Sequence, residues 1–137
     1  YKISGYRVLI MASIIEKESM LEQERYLISS VFYNRLRMPD AYQRRLESCA
    51  TVRYALDKKR GTLTFKDLAV DSPFNTYKII GFPPSPICNP GEKSIKAALE
   101  PAKTSYKFFV VRNDGSHIFS ETFEEHRKAK NSSRGVQ

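Results

Sequence analysis

Residues 8–15 are apolar at nearly every position, the pattern of a helix buried on all sides rather than of one lying on a surface. Ser4 supplies a side-chain acceptor for the unpaired N–H groups at the start of that helix, which the pattern carries over roughly 6–17. A second helix is predicted from about 21 to 36, where Leu27, Ile28, Val31 and Phe32 recur at helical spacing while Glu22, Glu24 and Arg25 fall on polar positions. Pro39 and Asp40 end it. The polar stretch 41–47 reads as a loop. A short helix over about 51–57 follows, with Thr51 placed either to cap it or to meet a ligand, and Thr64 with Asp67 opens another.

From 71 to 90 the chain carries Pro73, Gly81, Pro83, Pro84, Pro86 and Pro90, so it should be extended and stiff, as loops that line sites often are. Asn89-Pro90-Gly91-Glu92 looks like a helix start, with Asn89 as cap, Pro90 at the first helical position and Glu92 completing the box; that helix must end before Pro101. Residues 107–112 and 117–120 have strand character and are joined by Asn113-Asp114-Gly115-Ser116, a hairpin signal. Thr122 with Glu125 begins a last helix that fades into Asn131-Ser132-Ser133-Arg134-Gly135. The predicted class is α+β, several helices packed with a small antiparallel sheet that includes the C-terminal hairpin. One domain over 1–130 and a flexible tail over 131–137 complete the expected organisation.

Composition narrows the picture. A chain of 137 residues can bury a core without disulfides or metals. No apolar run approaches the roughly 18 residues of a membrane span. Lys and Arg number 23 against 15 Asp and Glu, a net charge of +8, which favours an anionic partner. The basic residues are scattered and no nucleic-acid motif accompanies them, so a solvated basic surface is expected rather than a nucleic-acid groove. Cys49 and Cys88 fit no CxxC pattern and read as one disulfide or as two buried thiols. His117 and His126 lack metal-ligand spacing and are expected to be structural or exposed; no cofactor or metal is called for. Because the chain opens on Tyr1, it reads as a piece of a longer protein.

Chemistry concentrates where the apolar helix ends in charge, at Ile14-Ile15-Glu16-Lys17-Glu18-Ser19. At helical spacing Ser13, Glu16 and Lys17 share one side, whereas Glu18 follows Met11, Ile14 and Ile15 and points toward the apolar side. A carboxyl there loses hydration, which raises its pKa, as a general acid working near neutrality requires. The competing structural role is a solvated helix-terminal carboxylate or a cap on the next helix; Glu16 is expected to face solvent. Asn75 and Tyr77, in the extended loop, suit a sugar hydroxyl and a sugar face, or equally a turn and the core.

The run Ala12-Ser13-Ile14-Ile15-Glu16-Lys17-Glu18, then Glu24-Arg25 and Val31-Phe32-Tyr33-Asn34-Arg35-Leu36, closely resembles the catalytic domain of the endolytic murein transglycosylases of the MltG or YceG-like family. The resemblance continues in order through Arg45-Leu46-Glu47-Ser48, Ala50-Thr51-Val52-Arg53-Tyr54-Ala55-Leu56, Phe74-Asn75-Thr76-Tyr77, Gly81-Phe82-Pro83-Pro84 and the hairpin. It implies that Glu18, the second Glu of Glu-Lys-Glu, is the general acid/base. It also implies cleavage of the MurNAc–GlcNAc β-1,4 bond in peptidoglycan strands with formation of a 1,6-anhydro-MurNAc end. Glu47, Ser48, Thr51, Asn75 and Tyr77 are then the expected substrate-contacting residues. Glu47 departs from the family pattern, which has Gln there, and is either a second site carboxylate or a surface substitution of little effect; a site-lining residue that contacts substrate is the favoured expectation. The resemblance further implies an N-terminal membrane anchor outside this chain, a catalytic part on the periplasmic side of the inner membrane near cell-wall synthesis proteins, and a setting in which Cys49 and Cys88 could pair. A catalytically silent peptidoglycan-binding module on the same fold is the rival.

Overall fold

The computed structural model describes residues 3–132. Its α+β architecture is the expected one: six helices and a two-stranded antiparallel hairpin among the described residues. Helix α1, Gly5–Glu18, is the central element, packed most extensively on α5 (Glu92–Leu99) and also on α2 (Arg25–Leu36) and α3 (Cys49–Leu56). Its middle, from Ile10 to Ile15, is wholly buried, as the unbroken apolar run required. Each such Ile or Met side chain contributes about 1.5–3 kcal/mol of transfer free energy. Ser4 caps α1 by accepting from the Arg7 N–H. Ser13, expected beside Glu16 and Lys17 on a polar side, is completely buried; its hydroxyl donates to the Ile10 carbonyl and accepts the Ile87 N–H, tying the proline-rich segment to α1.

The second predicted helix begins as a tight 3-10 turn, Glu22–Glu24, and becomes α-helical only at Arg25. Ile28, Val31, Phe32, Tyr33 and Leu36 of α2 enter the core, and the Phe32 ring meets Phe109 of β1 (Phe108–Val111) edge-on. The predicted loop after α2 contains a 3-10 turn, Ala41–Arg44, capped by Asp40. The chain then runs beside the proline-rich segment: Gly81 N–H donates to the Arg44 carbonyl and Glu47 N–H to the Thr76 carbonyl.

Two helix starts differ from expectation, for one reason. Helix α3 starts at Cys49, two residues early, with Ser48 rather than Thr51 at its N-cap; Thr51 lies in the first turn and donates back to the Ser48 carbonyl. Helix α5 starts after Gly91 rather than Asn89. In neither case does the helix's own N-cap side chain satisfy its first N–H groups. Carboxylates from the end of α1 reach both starts instead, Glu18 taking the Ala50 N–H in the first turn of α3 and Glu16 the N–H of Gly91 just before α5, and no local motif encodes a partner supplied from another helix. The capping box at α4 (Phe65–Leu68) forms as predicted between Thr64 and Asp67.

Strand β1 pairs with β2 (His117–Ser120), Val111 opposite His117. Gly115 turns the hairpin at φ +87 and brings it against Met20, just beyond the end of α1. Helix α6, Phe123–Ser132, opens with the predicted reciprocal bonds between Thr122 and Glu125 and packs on both strands. It includes Asn131 and Ser132; the rest of the expected tail lies outside the described residues.

Candidate active site

Glu18 is the last residue of α1, and its carboxyl meets the N-terminus of α3. Ser48 Oγ donates to Glu18 Oε2 at 2.5 Å, and the backbone N–H of Ala50 donates to the same carboxyl. The residue keeps some contact with solvent, but the carboxyl itself is packed round with protein atoms, and that enclosure governs its ionisation. Loss of hydration therefore holds its pKa above the ordinary carboxylate value, and only partly do the Ser48 and Ala50 donors and the charges of His117 and Arg53 pull it back. Such a carboxyl keeps its proton to higher pH than an exposed one and, with donors already in place, can hold the charge left when the proton departs.

Ser48 is buried, and its one hydroxyl proton goes to Glu18, so it positions the acid. Behind it lies a polar knot. Ser48 N–H donates to Thr76 Oγ1 at 2.8 Å, Thr51 Oγ1 donates to the Ser48 carbonyl at 3.0 Å, and the Thr51 and Thr76 hydroxyls are 2.8 Å apart. Thr76 Oγ1 also lies 3.3 Å from the Ser48 carbonyl, so one of the two hydroxyls donates to that carbonyl and the other to its neighbour, and every polar atom of this dry cluster is paired. Thr51, expected to contact substrate, is fully enclosed here and fixes the position of Ser48.

Asn75 is also fully enclosed. Its amide donates to the Leu68 and Val70 carbonyls and its Oδ1 accepts the Tyr77 N–H, so the side chain builds the loop. Tyr77 is half-buried beside Glu18, its hydroxyl 3.2 Å from Cys49 Sγ. Burial raises the pKa of both groups, and the nearby Glu18 raises them further, so neither is poised to ionise. Both cysteines are free: Cys49 faces Tyr77, whereas Cys88 donates to the Ser13 carbonyl.

Glu47 takes left-handed backbone, φ 52, which a non-glycine residue adopts at a cost of about 1 kcal/mol. Its carboxylate lies 3.3 Å from Arg35 and 3.5 Å from Arg45. Arg35 is buried, donating also to the Arg45 and Lys107 carbonyls beneath the Phe108 ring. Glu47 is thus the counter-ion of a buried guanidinium.

Several residues around Glu18 escaped the sequence reading. His117, expected to be structural or exposed, is buried and paired with Glu24, 93 residues earlier. Thr76 and Ala50 belonged to quoted motifs without being singled out. Glu16, expected to face solvent, stays partly exposed but also bonds Gly91 N–H and Ser94 Oγ at the start of α5, near Arg25, and these partners lower its pKa.

The model of the YceG-like family matches residues 1–132. A Bacillus subtilis protein named endolytic murein transglycosylase is 45% identical over 131 residues, covering 94% of this chain and 35% of its own length. A Streptococcus pneumoniae protein of the same name is 32% identical over 127 residues, covering 87% of this chain and 22% of its own. A crystal structure of a YceG-like protein from Listeria monocytogenes superposes with a TM-score of 0.83 at 48% identity, covering 92% of this chain and 40% of that one. The chain therefore spans about a third or less of the curated relatives it matches, and it belongs to the YceG-like family.

Proposed function

We propose that this chain is the catalytic part of an endolytic murein transglycosylase with Glu18 as its general acid/base. The observation that carries the reading is the Glu18 carboxyl, dehydrated and held by Ser48 Oγ and Ala50 N–H at the mouth of α3. Protonated Glu18 gives its proton to the glycosidic oxygen as the MurNAc C1–O bond breaks, freeing the GlcNAc 4-hydroxyl. The carboxylate then takes the proton of the MurNAc 6-hydroxyl while that oxygen bonds to C1. The product is a 1,6-anhydro end, no water is consumed, and Glu18 returns to its starting state. A hydrolase of the two-carboxylate type needs a second acid to activate water or to form a covalent intermediate. Here the sugar supplies the nucleophile, and Glu47, the carboxylate in question, is bound between two arginines.

In this reading the partner is the peptidoglycan strand, and the work is done outside the cytoplasmic membrane. No helix among the described residues is long and apolar enough to cross a membrane. The test is mass analysis of uncrosslinked glycan strands incubated with the chain and with Glu18→Gln. Anhydro-ended products lost on substitution are expected. Reducing-end products would refute the transglycosylase step, and binding without cleavage, indifferent to the substitution, would make this a glycan-binding module.

A further inference from the structure

The far end of α1 from Glu18 borders a cavity that the reaction does not use. It opens beside the first turn of the helix and measures about 510 Å³, within the usual range of small-ligand sites. Ile10 and Leu36, both buried, give it apolar lining, and Tyr6 and Phe82 give it aromatic lining. The Tyr6 hydroxyl donates to the Pro84 carbonyl at 3.1 Å, which fixes that ring between α1 and the proline-rich segment. Two guanidiniums join them. Arg7 lies over the Phe82 ring, 5.6 Å from its centroid. Arg44 is held through Nε and Nη2 by the Met38 and Pro39 carbonyls, at 2.6 and 3.0 Å, which leaves Nη1 available. Arg25, Arg35, Arg45 and Arg127 each face a carboxylate, whereas among the described residues neither Arg7 nor Arg44 does. Two cations set beside apolar and aromatic walls call for an anion with an apolar body. The planar fork of a guanidinium matches a carboxylate, and the walls suit small apolar side chains next to it.

We propose that this pocket binds the free carboxylate end of a peptide stem, carried by a peptidoglycan strand whose sugars lie at Glu18. The inference deepens the transglycosylase reading and rests on it for the choice of peptide. Spacing along the fold agrees with it. Arg7 precedes Glu18 by eleven residues of one helix, about 16 Å along the axis. Arg44 and Ser48, whose hydroxyl holds Glu18, are four residues apart and so separated by no more than about 14 Å. A peptide stem of four or five residues extends about 13–18 Å. The two segments that lead from the pocket to the acid are bonded to each other on the way: Gly81 N–H donates to the Arg44 carbonyl and Glu47 N–H to the Thr76 carbonyl. Pocket and acid are therefore held at a fixed separation, one for the stem and the other for the sugar bond.

The test is the binding of diacetyl-lysyl-D-alanyl-D-alanine, a mimic of the stem's end, followed by nitrogen-15 NMR of the chain. Shifts centred on Tyr6, Arg7, Gly81 and Phe82 are expected, and the C-terminal amide of the same peptide should bind about tenfold more weakly or worse. Arg7→Gln, on the exposed first turn of α1, should weaken binding of the free acid by about tenfold. Arg44→Gln should do the same; since Arg44 also ties down its own loop, Arg7→Gln decides the matter if that variant unfolds. Arg127→Gln makes the same change of charge on α6 and should bind as the parent does. In activity, the preference for stem-bearing over peptide-free strands should shrink by a like factor in Arg7→Gln, through KM rather than kcat. Equal affinity for acid and amide, inorganic phosphate bound as well as the peptide, or shifts confined to other parts of the chain would each overturn the inference. Peptide held at the pocket of a chain that cleaves no glycan would uphold the pocket and sink the transglycosylase reading; cleavage with no peptide binding would do the reverse.

Discussion

Two glutamates at the end of α1, two residues apart in sequence, perform nearly the same structural act with opposite results. Glu16 accepts a backbone N–H and a serine hydroxyl at the start of α5; Glu18 accepts a backbone N–H and a serine hydroxyl at the start of α3. Each has an arginine within electrostatic range. Yet the Glu16 pKa is lowered and the Glu18 pKa is raised. Hydrogen bonding and helix N-termini favour the charged form in both places, so they cannot be the cause of the difference. Dehydration is: it is the largest influence at Glu18 and only a lesser one at Glu16. The same capping geometry makes a structural anion where water reaches the carboxyl and a group that keeps its proton to higher pH where water does not.

The largest effect should come from exchanging each carboxylate for its amide. Glu18→Gln should lower turnover by about 10³-fold or more, since no other proton carrier is placed at the mouth of α3. Its stability should move the other way with pH. A carboxyl whose folded pKa is raised stabilises the fold below its ordinary value of 4.5, and that contribution is lost as pH rises through the folded value. The melting temperature of Glu18→Gln should therefore match or exceed that of the parent at pH 7, with the gap closing in acid. A variant that is both inactive and much less stable at neutral pH would make Glu18 a structural cap and erase the contrast with Glu16.

The next step down is the serine pair. Ser48→Ala removes a hydrogen bond to a dry carboxylate, worth about 1.5–3 kcal/mol, and should reduce kcat by roughly 10- to 100-fold while pushing the alkaline limb of the pH profile upward. Ser94→Ala removes the matching bond from Glu16, together with the one Arg25 Nε makes to the same hydroxyl, while Gly91 N–H and the Arg25 charge remain at the carboxylate. Turnover should be unchanged there. Equal losses of kcat in the two variants would mean that burial does not separate the sites.

Glu16→Gln should cost about 1 kcal/mol of stability at pH 7 through the weakened start of α5, with activity retained. The sign is opposite to that at Glu18. A lowered folded pKa contributes stability above the ordinary value of 4.5 that is lost as pH falls through the folded value, so the Glu16→Gln deficit should shrink in acid. Thermal denaturation at a series of pH values checks both signs in one experiment.

Much of the fold was readable because it is local. The apolar run of α1, the Thr64–Asp67 capping box, the Asn113–Ser116 turn and the Thr122–Glu125 pair each carry their instruction within a few residues. Glu18 was readable for the same reason: helical spacing put it on the apolar side and Glu16 off it. What periodicity could not show is where the neighbouring chain arrives. Glu16 has a partner 75 residues away at Gly91, Glu24 one 93 away at His117, and Ser48 one 28 away at Thr76. Asn75 and Thr51 suit a sugar contact or a structural role equally well by residue type, since amides and hydroxyls are also the groups that close a buried loop. The residue type was informative about polarity and silent about direction.

The smallest expected effect is also the sharpest discriminator, because it concerns the third carboxylate near the site. Glu47→Gln leaves the amide oxygen to accept from Arg35 or Arg45 and leaves the Arg35 bonds to the Arg45 and Lys107 carbonyls intact. The pair is about one-third exposed on the Glu47 side, so screening by water limits the loss to about 0.5–1 kcal/mol of stability. Turnover should change by less than about fivefold, with anhydro-ended products throughout, because the amide can still position Arg35 without carrying charge. A collapse of turnover comparable to that of Glu18→Gln, in a variant that melts normally, would show a second working carboxylate. The left-handed backbone at Glu47 would then be strain held for catalysis, and burial would no longer be the sole feature separating the proton carrier from its structural counterparts.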